Sequence, residues 1–326
     1  MKAGRQTTLR SQAAVSGIGV HSGAPATLTL LPADANTGIV FVRSGCDGRP
    51  DREIRADVRS VTATEFATVL GDATGPLCST AEHVLSALSG LGVDNAIIEL
   101  DGPEVPIMDG SAAPFVAAID RAGVVTLAAP RRYIQVLKTV RVATGDAYGE
   151  LRPHANGFRI EVDIDFDNAL IGRQSLALDL DPETFRRELA RARTFGFMRD
   201  VAKLWSAGYA LGASFENTLV ITDNRVLNPE GLRFPDEFAR HKALDAIGDL
   251  TLAGAPLRGA YRSVRGGHKL NHAVLSALMS DPTAWALVEG QDTRQEIRHE
   301  APRRPIRGHA DVAAGMAVPA YAPDVS

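Results

Sequence analysis

Apolar positions along the chain recur with a period of two in some stretches and near 3.6 in others. In RIEVDIDF (159–166), Ile160, Val162, Ile164 and Phe166 alternate with Glu161, Asp163 and Asp165. That alternation predicts a half-buried antiparallel strand. ATLTLLPA (26–33) and NAIIEL (95–100) read as further strands, because β-branched and apolar residues dominate them. Residues 79–89 carry a helical pattern. Ser79 suits an N-cap, Glu82 follows three residues on, and Gly90 marks the stop. A second helix is expected from Ser111 to Gly123. A third is opened by Asp181-Pro182-Glu183 and runs to about Arg193. TLVITDNRVLN (218–228) reads as a hairpin turning at Asp223-Asn224. The longest helical pattern spans Pro235 to Leu252. Ala243, Ala246, Ile247, Leu250 and Ala253 form its apolar stripe, and Gly254 ends it.

Both halves of the chain place strands first and helices later, which predicts two similar α+β units. AAPRR (128–132) reads as the linker. The expected division is 1–128, 129–290 and an Arg/Pro-rich tail, 291–326, whose lack of periodicity predicts mobility.

Composition narrows the class. Of 326 residues, 45% are hydrophobic and 23% charged, which is ordinary for a soluble protein with a large core. A net charge of −4 gives no reason to expect nucleic-acid binding. The first residues have no apolar h-region, so no secretory leader is expected. The most apolar run, AAPFVAAIDRAGVV, is broken by Asp120 and Arg121, and no transmembrane segment is expected. Cys46 and Cys78 form no CxxC pair, consistent with a reducing cytoplasm.

The chemistry is concentrated in the long helical pattern. His241, Asp245 and Asp249 are spaced four apart and stack on one line, with Lys242 beside them. Alone, H-x-x-x-D more often marks a solvated helix face. Among the 8 histidines, three stand in distinctive settings: His83 in STAEH, His241 in HKALD and His268 in RGGHKLNH. His83, His241 and Asp245 would make two nitrogen ligands and one carboxylate, the open pattern of a catalytic metal rather than a closed structural one. Glu82, beside His83, is then either a general base or only the partner of Ser79 in a capping box. Asp249 suits the role of orienting a neighbouring His. His268 reads as a loop residue before a helix starting near Asn271.

SGIGVHSG (16–23), TAEHVLSAL (80–88), PIMDGSAAPF (106–115), RTFGF (193–197), VLNPEGLRFPDEFARHKALDAIGDL (226–250) and GGHKLNH (266–272) together carry a resemblance. On these stretches, up to about residue 290, the chain resembles the UDP-3-O-acyl-N-acetylglucosamine deacetylase family, zinc amidases of lipid A biosynthesis in Gram-negative bacteria. The resemblance implies an α+β fold in which two βα domains form a sandwich. Helices pack between two outer sheets, and each domain carries a small insert. It implies that His83, His241 and Asp245 hold Zn²⁺ and that Glu82 is the general base. It further implies that His268 protonates the leaving amine, Asp249 is its charged neighbour and Thr194 holds the oxyanion. Lys242 and Phe195 would contact the nucleotide sugar. The second insert (197–215) would form an acyl-chain passage, with Met198, Val201, Ala210 and Phe215 as lining candidates. The implied partner is the UDP-3-O-acyl-N-acetylglucosamine substrate, the implied location cytoplasmic, and a monomer is expected. The loop SVTATEFATVL (60–70) departs from the family pattern with Ala63 and Ala67. His21 in GVHSG matches it without an assigned role. Two rivals stand beside this reading. One is an Fe(II) facial triad, whose usual H-x-D pair on a strand is missing here. The other is a non-catalytic sugar-nucleotide or acyl-chain binder, against which an intact Glu82 and His268 argue.

Overall fold

A computed structural model of the chain describes residues 4–45 and 50–290. The expected tail and Cys46 lie outside the described residues.

The first sheet has five strands in the order Ala13–Ile18, Pro25–Pro32, Ala96–Leu100, Ile39–Arg43, Arg52–Arg55. Leu28 and Leu30 alternate inward from one strand, Ile98 and Leu100 from its neighbour, and all four are buried. The second sheet has seven strands. Leu257–Val264 lies near its middle, antiparallel to Ala147–Arg152 and parallel to Phe158–Asp165. The alternation read in 159–166 holds: Ile160, Val162 and Ile164 are buried while Asp165 is exposed. The strand is antiparallel to only one neighbour, Arg173–Leu180.

Four helices carry the interior. Ala113–Ala122 packs on the first sheet, and His268–Ser280 packs on Val140–Thr144 and Ala147–Arg152 of the second. Between them, Glu82–Gly90 and Glu237–Thr251 pack against each other. The contact is close because Gly248 has no side chain. A Cβ there would stand 2.0 Å from the carbonyl oxygen of Glu82. The long helix is therefore buried nearly all round. Its apolar stripe is inside, and so are His241, Asp245 and Asp249 on the other face. A face that would be solvated on an isolated helix here borders a second helix.

Two small inserts complete the sandwich. The first is a three-stranded sheet, Val61–Ala63, Val69–Asp72 and Gly75–Cys78. The second begins with the parallel pair Phe195–Phe197 and Leu219–Ile221 and contains the short helix Val201–Ser206. The fold is thus the α+β sandwich that the resemblance implied.

Several local expectations are corrected. AAPRR is not a free linker: Val124–Pro130 is a strand, antiparallel to Arg5–Leu9. Its partner lies more than a hundred residues away, so no local signal marked it. The helix opened by Asp181 is capped as expected, with Asp181 Oδ1 accepting from the Glu183 and Thr184 N–H groups. It then widens to a π-helical turn over Phe185–Leu189 and stops short of Arg193. The last helix starts at His268 itself, so His268 is its first residue rather than a loop residue. Ser79 caps nothing. It pairs with 103–105 through its backbone, Thr80 turns left-handed at φ 58°, and helix Glu82–Gly90 begins without a side-chain cap.

Candidate metal and catalytic centre

The two central helices bring three donors together. Glu82–Gly90 supplies His83, and Glu237–Thr251 supplies His241 and Asp245. Their ligand atoms lie within 4.8 Å of one another, and all three residues are buried. Asp245 Oδ1 stands 3.3 Å from His241 Nε2 and 3.5 Å from His83 Nε2. Those distances are long for hydrogen bonds, and Asp245 Oδ1 has no hydrogen-bond partner. Two donors of a tetrahedral site, each roughly 2.1 Å from a shared ion, would lie about 3.4 Å apart. The donor set therefore fits a metal ion.

The surroundings prepare the donors for that role. His241 Nδ1–H donates to the Ala192 carbonyl at 3.0 Å, which leaves Nε2 as the lone-pair nitrogen. Burial pushes the His241 imidazole down to about 3, so it is neutral. Burial works against ionising Asp245, but the Lys242 ammonium bonded to Oδ2 helps hold its carboxyl well below the usual range. Lys242 Nζ donates to Asp245 Oδ2 at 3.0 Å and lies 5.6 Å over the Phe195 ring.

A second pair stands beside the donors. His268 Nδ1–H donates to Asp249 Oδ2 at 2.9 Å, since a carboxylate can only accept. Its Nε2 lies 3.8 Å from Glu82 Oε1. Burial opposes charge on His268, yet the Asp249 and Glu82 carboxylates outweigh it and push the imidazole up to about 9. Burial raises the Glu82 carboxyl above its ordinary value, with His268 and His83 opposing. Glu82 Oε2 accepts from the Thr68 N–H at 3.0 Å, not from Ser79, so the capping-box alternative is excluded.

The remaining candidates are placed less directly. Thr194 is half-buried two residues beyond Ala192. Its N–H donates to Gly110 C=O at 2.8 Å and its carbonyl accepts from Leu219 N–H at 2.8 Å. The Phe195 ring is 6.4 Å from that of His241. Met198 and Phe215 are exposed, and Val201 and Ala210 are half-buried, all on the second insert. Among the described residues, no hydrogen bond or ring contact ties these four to the donor cluster. His21 gains a structural role: its Nδ1 accepts from Ala210 N–H at 3.4 Å, and its ring packs edge-on to Tyr209 at 5.5 Å.

Sequence reasoning missed Thr68, Asn271 and Glu104. Thr68 Oγ1 donates to Asp249 Oδ1 at 2.6 Å, and Asn271 Nδ2 donates to Asp249 Oδ2 at 2.8 Å. Asn271 was findable, being one turn beyond His268 on the same helix. Buried Glu104 accepts from the His21 N–H, from the Ser22 N–H and hydroxyl, and from the Thr80 hydroxyl, fixing the GVHSG loop.

Two imidazoles and a carboxylate converge in the interior, beside the Glu82 carboxylate and the His268 imidazole. On this α+β sandwich they define a metal-dependent hydrolase. Residues 6–280 match the family described as UDP-3-O-acyl N-acetylglycosamine deacetylase, and the chain belongs to that family. It is 54% identical over 285 residues to the UDP-3-O-acyl-N-acetylglucosamine deacetylases of Brucella ovis, Brucella canis and Brucella abortus. Each alignment covers 87% of this chain and 98% of the relative. No helix among the described residues is long and apolar enough to cross a membrane.

Proposed function

We propose that the protein hydrolyses the N-acetyl group of UDP-3-O-acyl-N-acetylglucosamine, releasing acetate and the 2-amino sugar, the step that commits the sugar to lipid A. One observation carries the reading: Glu82 and His268 face each other at 3.8 Å beside the convergent His83, His241 and Asp245. Zinc is the proposed ion, because two imidazoles, one carboxylate and an open position suit it. Bound there, it would polarise the acetamide carbonyl and lower the pKa of water from about 15.7 toward about 7.

The residues then divide the proton work. Glu82, with Oε2 held by the Thr68 N–H, takes the proton of the attacking water on Oε1. Its raised pKa brings the base closer to the operating pH. His268, kept protonated by Asp249, gives its Nε2 proton to the departing nitrogen, since an amine anion cannot leave. Thr194 is assigned to the developing oxyanion. Lys242 and Phe195 are assigned to the nucleotide sugar, and Met198, Val201, Ala210 and Phe215 to the acyl passage. The same reading makes the protein a cytoplasmic monomer of two units divided near residue 128.

Acetate release from the UDP-acyl-sugar, paired with elemental analysis of the purified protein, tests this. The expected result is one zinc per chain and turnover without a redox partner. Absence of turnover by metal-replete protein favours the binding-protein rival, and redox-dependent activity with iron favours the facial triad.

A further inference from the structure

Thr68 lies in the first insert, and the structure joins it to both halves of the proton machinery. Its backbone N–H donates to Glu82 Oε2 at 3.0 Å, and its carbonyl accepts from the Ala81 N–H at 3.2 Å, just before helix Glu82–Gly90. Its hydroxyl donates to Asp249 Oδ1 at 2.6 Å and lies 3.5 Å from His268 Nδ1. The residue is only 2% exposed.

The geometry divides the oxygens of two carboxylates. On Glu82, the Thr68 N–H occupies Oε2 and leaves Oε1, the oxygen nearer His268, to receive a proton. On Asp249, the Thr68 hydroxyl occupies Oδ1, while Asn271 Nδ2 and His268 Nδ1 share Oδ2. Asn271 is itself held by the Tyr261 hydroxyl, which donates to its Oδ1 at 2.6 Å. Held at Oδ1 by Thr68 and at Oδ2 by Asn271, the Asp249 carboxylate is fixed in orientation, so Oδ2 meets His268 Nδ1 from a set direction and that sets where Nε2 points.

We propose that Thr68 is a positioning residue for the deacetylation: its hydroxyl fixes the orientation of the Asp249 carboxylate and so aims the His268 Nε2 proton at the reacting centre, while its N–H selects the working oxygen of Glu82. This rests on the deacetylase reading above. The side-chain part is separable, because valine has the shape of threonine without the hydroxyl and keeps the N–H.

The test compares Thr68→Val and Thr68→Ser in the full-length, metal-replete protein. In Thr68→Val, kcat falls about ten- to a hundredfold, the scale expected for losing a hydrogen bond to a charged group. KM stays within about threefold and metal content is unchanged, because no donor is touched and a transition-state interaction alone is lost. Thr68→Ser, which restores the hydroxyl, returns kcat to within about threefold of wild type. Without substrate, the downfield proton resonance of His268 Nδ1–H, assigned through its loss in His268→Gln, shifts or broadens in Thr68→Val and is recovered in Thr68→Ser. Wild-type-like kcat in Thr68→Val, or equal impairment of both variants, overturns the inference. If wild-type protein releases no acetate, the deacetylase reading fails and the imidazole resonance alone decides whether Thr68 orients His268; an unchanged resonance rejects it.

Discussion

His268 Nε2 lies 3.8 Å from Glu82 Oε1, while its other nitrogen is bonded to Asp249. On the proposed mechanism this sets an acid and a base face to face beside the candidate metal donors, His268 held by Asp249 and Glu82 by the Thr68 N–H. Glu82→Gln separates base from scaffold. A glutamine oxygen can still accept the Thr68 N–H, but an amide takes no proton near neutral pH. Stability and metal content should stay near wild type while kcat falls by roughly 10²–10⁴. A variant that holds metal and turns over within a few-fold of wild type would sink the mechanism.

Activity should follow a bell-shaped pH profile. The acid must be protonated, so activity is lost as pH rises through the His268 value of about 9. The base must be ionised, so activity is lost as pH falls through the Glu82 value, raised above the ordinary carboxylate by burial. Asp249→Asn removes the charge that favours the imidazolium. The alkaline limb should therefore move to lower pH, by about 1–3 pH units, with the acid limb little changed. Full kcat/KM profiles of both proteins check this, and an unmoved alkaline limb contradicts the assignment of His268.

His83→Ala, His241→Ala and Asp245→Ala should each weaken metal binding sharply, because each removes one of three convergent donors. The measurement is metal stoichiometry after dialysis against a mild chelator. Three variants that all retain one ion per chain would disprove the donor set.

Arg193 is 1% exposed, and its guanidinium is bonded to Glu237, which is fully buried. Arg193→Leu leaves that buried carboxylate without its counter-charge, bonded only by the Arg193 and Arg233 backbone N–H groups, and should cost about 3–5 kcal/mol, read from the urea midpoint. Thr194 follows Arg193 in the chain, so the loss should also reach kcat. A cost below about 1 kcal/mol would mean that water reaches Glu237.

Removing the 3-O-acyl chain from the substrate should lower kcat/KM by orders of magnitude, because remote binding energy acts at the reacting centre. Equal efficiency with and without the chain would remove the case for Met198, Val201, Ala210 and Phe215 as a passage.

Much of this was legible because it is local. The stripe from Ala243 to Ala253 and the His241–Asp245–Asp249 spacing are written within one helix, and Glu237–Thr251 folds as that pattern predicts. The alternation of Ile160, Val162 and Ile164 likewise survives in the sheet. What could not be read depends on distant partners. Thr68 is one polar residue in a polar loop, and its hydroxyl meets a carboxylate 181 positions away. Glu82 and Ser79 have the spacing of a capping box, but left-handed Thr80 and the pairing of Ser79 with 103–105 override it. Strand Val124–Pro130 exists because Arg5–Leu9 lies beside it, which no window of sequence contains.

The donors come from two helices that touch where Gly248 meets Glu82. An ion held by both would consequently be a rivet as well as a reagent. It would bind only while the helices are seated, so its concentration would set how firmly they stay together, by about 4.1 kcal/mol at a thousandfold excess over Kd. On the proposed function, depriving the protein of metal would therefore do more than silence it. Amide exchange should quicken first along this seam, and the stripped chain should melt earlier and age faster on storage than its loaded form.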